Sequence, residues 1–233
     1  MDRQVVVVTG GGRGIGRAIC ERFAAAGAQT VCAARSVEEL TETKRLIEAQ
    51  GGLCHVQPTD VASAEEVQTL MDVAAEKFGR VDVAVNAAGV APLVGIEELD
   101  AKVFETILSV NVRGIYHACR SAWPIMKSHG GGVIINISSI SAIDPFPGLT
   151  AYGASKAWVN AWTQALAEEG RAHGIRVYAV APGAVDTRML RDIFPDYPDN
   201  QMLLPAEVAE TVFALAQPPF QYSTGQTIYA RKS

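Results

Sequence analysis

Tyr152 and Lys156, spaced four residues apart, are the strongest candidates for proton transfer in this 233-residue chain. Residues at positions i and i+4 share one face of a helix, so the phenol and the ammonium would point into the same space. A tyrosine titrates near pH 10, and a neighbouring cation lowers its pKa by favouring the phenolate. The pair therefore suits proton transfer near neutral pH. An isolated Tyr-x-x-x-Lys spacing, however, usually reflects an ordinary aromatic residue and a surface lysine.

Two serines, Ser138 and Ser139, follow a strand-like run that ends at Ile137. In open α/β folds, ligands bind at the carboxyl edge of the sheet. The two hydroxyls are thus expected near Tyr152. The Tyr-x-x-x-Lys spacing is therefore accompanied by other polar groups and does not stand alone as evidence for a site.

A glycine-rich segment separates the first strand-like run from the first helix-like stretch. Glycines there allow a tight turn and let the backbone approach a pyrophosphate, which then rests on the helix N-terminus. The spacing is G-x-x-x-G-x-G, and the Lys-Ser/Thr of a Walker P-loop is absent. The segment predicts a dinucleotide site and reads Thr9, Gly10, Gly11, Gly12, Arg13, Gly14, Ile15, Gly16.

The end of the second strand-like run indicates which dinucleotide is bound. Binders of NAD usually place an acid there for the ribose 2′-hydroxyl. This run instead ends with Arg35, and Arg13 projects from the glycine segment. Two guanidinium groups suit a 2′-phosphate, so the sequence predicts NADP(H) over NAD(H).

Alternating strands and helices must position these groups. Runs of β-branched and apolar residues predict strands at 5–8, 30–34, 53–57, 81–86, 133–137, 175–181 and 226–229. Amphipathic stretches predict helices at 15–26, 37–50, 64–78, 101–127, 151–172 and 206–216, several of which end at glycines. This alternation predicts a single-domain Rossmann fold over residues 1–233, with a doubly wound, seven-stranded parallel sheet and helices on both faces.

The segment 188–204 departs from this alternation, with prolines, aspartates and large apolar residues in no clear period. It is either a surface loop with a short helix or a mobile lid over a pocket, and we favour the lid. Trp158, Trp162 and Leu166 share one side of the fifth long helix, where they form either core or a dimer face.

Composition excludes several classes of function. The chain is 48% hydrophobic and 19% charged, with a net charge of −5, so it is neither disordered nor a broad nucleic-acid binder. No apolar run has the length of a membrane span, and the start of the chain lacks the apolar region of a signal peptide. We therefore expect a cytoplasmic protein. Its scattered four cysteines and four histidines predict neither a disulfide framework nor a metal site.

Together these motifs resemble the classical short-chain dehydrogenases/reductases, and the resemblance runs from Gln4 to about Tyr229. Within that family, the chain is similar to the 3-oxoacyl-[acyl-carrier-protein] reductases. The matching motifs are TGxxxGIG at 9–16, NNAG at 86–89, a helical asparagine at Asn111, Ser139, YxxxK at Tyr152 and Lys156, and PG at 182–183.

The resemblance implies a role for each motif. Tyr152 would exchange a proton with the substrate oxygen, Ser139 would hydrogen-bond that oxygen, and Lys156 would hold the nicotinamide ribose and lower the pKa of the tyrosine. Asn111 would position a water that relays protons to Lys156. The remaining cofactor contacts implied are Asp60, Val61, Asn86, Ala87, Gly89, Pro182, Gly183, Val185 and Thr187.

Three departures from the family pattern bear on function. The second residue of NNAG is Ala87, a common change. The segment 225–233 lacks the Asp-Gly-Gly that often follows the last strand and commonly packs at a subunit interface. We therefore expect a homodimer or a homotetramer, and the missing Asp-Gly-Gly disfavours the tetramer. The region after Gly183 is shorter than in typical acyl-carrier-protein reductases, which puts that substrate in doubt.

Three functions remain open. The first is an NADP(H)-dependent reductase of a 3-oxoacyl thioester or a ketone. The second is a sugar, polyol or other alcohol dehydrogenase, which would share every catalytic residue. The third is a non-catalytic NADP(H)-binding sensor, disfavoured because a sensor needs none of Asn111, Ser139, Tyr152 and Lys156 together. The residues expected around the substrate are mostly apolar, which favours an acyl or aromatic ketone over a sugar.

Overall fold

The computed structural model describes residues 3–232 and contains one sheet of seven parallel strands. The strands are β1 Val5–Thr9, β2 Gln29–Ala34, β3 Leu53–Pro58, β4 Val83–Asn86, β5 Gly132–Ile137, β6 Ile175–Pro182 and β7 Thr227–Ala230. Their order across the sheet is β3-β2-β1-β4-β5-β6-β7. The predicted single-domain, doubly wound fold is confirmed. The limits predicted for the domain, residues 1 and 233, lie outside the described residues.

Helices cover both faces of the sheet. They are α1 Gly14–Ala25, α2 Val37–Ala49, α3 Ala64–Phe78, α4 Ala101–Ile107, α5 Gly114–Ser128, α6 Thr150–Gly170, α7 Arg188–Ile193 and α8 Pro205–Ala216. Glycines follow several of them, as expected from the sequence; Gly79, for example, has a φ of +79° directly after α3.

The alternation of side chains along β1 explains the two layers of core. Val6 and Val8 face one apolar cluster, which α1, α2 and α8 complete, whereas Val7 faces a second, which α3, α5 and α6 complete. A strand buried on both faces needs apolar residues throughout, and the four consecutive valines of β1 supply them. Among residues 3–232, no helix is long and apolar enough to cross a membrane.

The strand order reverses direction between β1 and β4, and a crevice opens there at the carboxyl edge of the sheet. The backbones that leave these two strands are tied together, since the Ala87 amide donates to the Thr9 carbonyl at 3.1 Å. The glycine segment after β1 and the Ala87-Ala88-Gly89 turn after β4 therefore share one rim of the crevice.

The predicted helix at 101–127 is interrupted. Between α4 and α5 the chain forms a π-helical turn, Leu108–Arg113, which contains Asn111. The spacing of apolar residues continues unchanged through this turn, and for that reason the sequence predicted one continuous helix. Such turns often occur at functional sites.

The fold also brings together cysteines that are far apart in the sequence. Cys32 of β2 and Cys54 of β3 place their sulfurs 3.4 Å apart, and all four cysteines are free thiols. Burial raises the pKa of Cys32, and the hydrogen bond with Cys32 together with burial raises that of Cys54, so neither thiol forms a reactive thiolate readily. No cluster with the makeup of a metal site occurs within the described part of the chain.

Candidate active site

A cleft of about 990 Å³ runs along the carboxyl edge of the sheet. The glycine segment forms one end, the residues after β4 and β5 form the floor, and the segment after β6 covers the other end. This volume is at the upper end of the range for small-molecule sites, so the cleft has room for a dinucleotide and a substrate together.

The glycine segment makes a cradle that only glycine permits. A Cβ on Gly16 would overlap the Gly10 carbonyl, and one on Gly10 would come within 2.7 Å of the Ala88 amide nitrogen. Gly14 has a φ of +54° and faces Thr187 across the cleft. The bare backbone and the N-terminus of α1 fit a pyrophosphate, as the sequence predicts.

A buried network that sequence reasoning missed fixes the shape of this cradle. The Arg17 guanidinium donates to the Gly12 carbonyl at 2.6 Å, and the Thr43 hydroxyl lies 3.0 Å from the Gly11 carbonyl. Thr43 is fully buried within α2. Its polar side chain on the inner face of that helix was the only feature of the sequence that could have indicated this network.

The end of the cleft beside α2, called here the adenosine end because the sequence predicts that the adenosine binds there, brings together Arg13, Arg35 and Asp60. Asp60 accepts a hydrogen bond from the Ala62 amide at 3.0 Å and so shapes the turn beneath the cleft, while Ser63 caps α3. Glu39 of α2 also lines this end, although the strand itself carries no acid.

Tyr152, Lys156 and Ser139 meet at the floor of the cleft. Tyr152 and Lys156 lie on the first two turns of α6, with the lysine Nζ 5.7 Å from the centroid of the phenol ring. Ser139 follows β5 and lines the cleft together with Tyr152, and its hydroxyl accepts a hydrogen bond from the Ser141 amide at 3.1 Å. The neighbouring Ser138 hydroxyl turns away and donates to the Lys156 carbonyl at 3.1 Å, which supports the choice of Ser139.

Burial dominates the titration of both candidate proton carriers. It raises the pKa of Tyr152, and the Ser139 hydrogen bond opposes that rise. It lowers the pKa of Lys156 to about 8, while Nζ donates to the Ile137 carbonyl at 2.7 Å. Lys156 does not contribute to the shift in the pKa of Tyr152 in this structure, so the lowering of the tyrosine pKa by Lys156 stays a prediction.

Asn111 connects the π-helical turn to the floor. Its side chain accepts from the Val90 amide and donates to the Val90 carbonyl, both at 2.9 Å, and also donates to Ser155 at 3.1 Å. A Cβ on Gly89 would lie 3.5 Å from Asn111 Oδ1 and 3.6 Å from Lys156 Nζ, both ordinary van der Waals contacts, so the Asn111 and Lys156 side chains both lie close to Gly89.

Thr9 and Asn86 are predicted cofactor contacts, but neither lines the cleft, and both lie beneath its floor. Both are buried at the ends of their strands, and Asn86 donates to Asn136 on the neighbouring strand at 2.8 Å. The other predicted cofactor contacts line the cleft: Gly10, Gly12, Arg13, Gly14, Ile15, Gly16, Arg35, Asp60, Val61, Ala87, Gly89, Tyr152, Lys156, Pro182, Gly183, Val185 and Thr187.

The segment 188–204 covers the substrate end. Thr187 caps the short helix α7, and a parallel bridge between Val185 and Leu203 closes the base of the segment. Phe194 contacts Phe146 and Tyr197, with ring centroids 6.5 and 6.4 Å apart, and all three line the cleft. The segment has the position of a lid, while its mobility stays a prediction.

Comparison with known proteins decides the family. The family model described as short chain dehydrogenase matches residues 4–198. The chain belongs to this family. This short-chain dehydrogenase is an oxidoreductase that acts on CH–OH donors. One relative, 3beta-hydroxysteroid dehydrogenase 1 of Eggerthella lenta, is 37% identical to it over 238 residues. That match covers 97% of this chain and 91% of the relative.

Solved structures agree over nearly the whole length of the short-chain dehydrogenase. A variant of actinorhodin polyketide ketoreductase with NADPH has a TM-score of 0.94 and 30% identity, and the match covers 98% of this chain and 96% of that one. The 3-ketoacyl-(acyl-carrier-protein) reductase of Brucella melitensis, complexed with NADH, has a TM-score of 0.90 and 31% identity, with coverage of 98% and 96%.

Proposed function

We propose that this protein is an NADP(H)-dependent oxidoreductase that interconverts a ketone or 3-oxoacyl thioester and the corresponding secondary alcohol. The observation that carries the proposal is the meeting of Tyr152, Ser139 and Lys156 on the floor of a cleft. A glycine cradle forms one end of that cleft, and apolar side chains form the other.

The proton chemistry follows from the positions of these side chains. NADPH, when bound, supplies the hydride. The Tyr152 hydroxyl donates a proton to the substrate oxygen, and the Ser139 hydroxyl donates a hydrogen bond to the same oxygen. Lys156, whose pKa lies near 8, can take up or release a proton near neutral pH. Asn111 holds the Val90 backbone next to Gly89 and, by its proposed role, positions a water for Lys156.

The preference for NADP(H) rests on the two arginines at the adenosine end. Arg13 and Arg35 are exposed and line the cleft where the sheet passes into α2. Each guanidinium can make paired, charge-assisted hydrogen bonds to a phosphate, whereas a ribose hydroxyl gains little from them.

The substrate end favours a bulky apolar carbonyl compound. The wall above Tyr152 consists of the aromatic group Phe146, Phe194 and Tyr197, together with Leu149, Met189, Leu190 and Ile193. Such a surface stabilises flat or aliphatic rings by burying them and offers few partners for the hydroxyls of a sugar. The names of two relatives, a hydroxysteroid dehydrogenase and a polyketide ketoreductase, support this substrate class.

The test is NADPH consumption, with NADH in parallel, against an acetoacetyl thioester, an aromatic ketone, a cyclic diketone and a keto-sugar. We expect turnover of the ketones, faster with NADPH. Tyr152→Phe should abolish turnover and leave NADPH binding nearly intact, whereas Tyr222→Phe, at a tyrosine that is 88% exposed, should change neither.

Other outcomes would favour the alternatives. Oxidation of sugars or polyols with NADP⁺, and no ketone reduction, would identify an alcohol dehydrogenase. Tight NADPH binding without turnover of either class would identify a sensor. A Tyr152→Phe variant that retains turnover would refute the proton donor.

We also propose that the protein forms a homodimer or homotetramer, through the aromatic face of α5 and α6. Trp158 stacks on Trp162 at 5.1 Å, Trp162 contacts Tyr116 edge-on, and Tyr116 is 41% exposed. Aromatic residues that remain partly exposed on a monomer are typical of interfaces. Light scattering on the wild type and on Tyr116→Glu tests this, since the charge should disrupt this face and leave monomers from a dimer or dimers from a tetramer. The cytoplasmic location stays a prediction.

A further inference from the structure

Glu39 lies between two arginines at the adenosine end of the cleft. The same carboxylate oxygen, Oε1, is 3.5 Å from Nη1 of Arg13 and 3.9 Å from Nη1 of Arg188. Arg13 belongs to the glycine segment and Arg188 begins the lid helix α7. One carboxylate therefore joins the cradle to the lid.

Packing holds Glu39 at this position. A Cβ added to Gly12 would lie 3.0 Å from the Glu39 Cβ and 3.3 Å from its Oε2, so the acid lies directly against the glycine segment. Ser36 caps α2 by accepting from the Glu39 amide at 3.1 Å, which fixes the backbone from which the side chain extends. The carboxylate thus faces the cleft.

The charges at this end are positive on balance, which suits a bound phosphate. Arg13, Arg35 and Arg188 line it together with Glu39. Three guanidinium groups and the carboxylates of Glu39 and Asp60 leave a net charge of about +1, so this end attracts a phosphate dianion without fully neutralising it. Glu39 contacts two of these arginines already, so a 2′-phosphate must compete with it for them and also meets its negative charge.

We propose that Glu39 is a specificity-determining residue that sets the ratio of NADPH to NADH affinity, because its carboxylate occupies Arg13 and Arg188 in place of the 2′-phosphate. This inference rests on the proposed NADP(H) function and deepens it. For NADH the same carboxylate is favourable, since it can accept a hydrogen bond from the ribose 2′-hydroxyl. Glu39 therefore reduces the preference for NADPH over NADH that the arginines create.

The test is the dissociation constant of each cofactor, measured by calorimetry for the wild type and for Glu39→Gln. We expect Glu39→Gln to bind NADPH more tightly and NADH equally or more weakly. The ratio of the two constants should then move toward NADPH by about three- to tenfold, the range for a partly exposed ion pair plus the repulsion removed. The shift should shrink as salt is added, since salt screens charges.

Glu42→Gln is the matched control. Glu42 lies one turn further along α2 and pairs with Arg45 on the outer surface, so removing its charge should leave the cofactor ratio unchanged. Glu39→Ala repeats the test with a side chain that can form no hydrogen bond. Thermal unfolding establishes that each variant is folded.

The outcomes separate the inference from the proposed function. A wild type that binds neither cofactor refutes the function itself. A wild type that binds NADPH, with a ratio that Glu39→Gln and Glu39→Ala leave unchanged or move toward NADH, overturns the inference alone. An equal change from Glu42→Gln also overturns it, because the effect would then reflect the net charge of the protein.

Discussion

Lys156 carries an ammonium group into the interior, and replacing it should make the folded protein more stable. Its side chain is 4% exposed, and burial lowers its pKa from 10.5 to about 8. In the unfolded chain the pKa returns to its ordinary value. Between pH 8 and 10.5 the unfolded state therefore binds more protons than the folded state, and stability rises with pH through this window.

The size of the effect follows from this pKa difference. At pH 7 the lowered pKa costs the folded state about 3 kcal/mol, since each unit corresponds to about 1.4 kcal/mol. Lys156→Met keeps a similar volume and removes this cost, but it also loses the hydrogen bond to the Ile137 carbonyl, worth about 1 to 2 kcal/mol. We expect the variant to be about 1 to 2 kcal/mol more stable at pH 7. The advantage should shrink by about 2 kcal/mol at pH 9.5, where most of the wild-type lysine is neutral.

Urea unfolding followed by circular dichroism at the two pH values measures this difference. Lys102→Met, at an exposed position on α4, is the control and should shift stability little at either pH. The Lys156 variant should lose turnover while it gains stability. A variant less stable than the wild type by the same amount at both pH values would refute the reasoning, because the buried charge would then carry no cost.

Three further predictions concern the two ends of the cleft. Arg35→Asp should weaken NADPH binding far more than NADH binding, and equal losses in titrations with both cofactors would show that Arg35 does not contact the 2′-phosphate. Gly16→Ala should lower the free energy of unfolding by more than about 2 kcal/mol, because its Cβ would overlap the Gly10 carbonyl; an unchanged denaturation midpoint would contradict this. Phe194→Ala should raise KM for an aromatic ketone about tenfold with little change in kcat, by removing the contact shared with Phe146 and Tyr197. Steady-state kinetics showing an unchanged KM would exclude the aromatic wall as the substrate surface.

The order of the elements was predictable because each strand and helix carries its own local signal. β1 is a run of valines, α3 is preceded by Ser63 and followed by Gly79, and the glycine segment lies between strand and helix. The meeting of Tyr152, Lys156 and Ser139 was also predictable. The lysine lies one helical turn beyond the tyrosine, and parallel strands bring their carboxyl ends to one edge.

Contacts between distant segments left no comparable signal. Glu39 follows Ser36 by three residues, the spacing of a capping box, yet its carboxylate faces Arg13 and Arg188. The sulfur contact between Cys32 and Cys54 depends on how β2 and β3 pair. The π-helical turn around Asn111 adds one residue to a helical turn without changing which residues are apolar. In each case the outcome depends on tertiary packing that no local pattern encodes.

The bridge between Val185, which follows β6, and Leu203, which precedes α8, holds the two ends of the lid side by side and makes the lid a closed loop. Closing a loop becomes only slightly harder as the loop grows, by about 0.6 kcal/mol for each doubling of its length. Residues between the two bridge positions can thus be exchanged, lengthened or shortened with little effect on the sheet beneath. The lid that carries the substrate wall can therefore vary in length and sequence while the glycine cradle and the floor beneath it keep their positions.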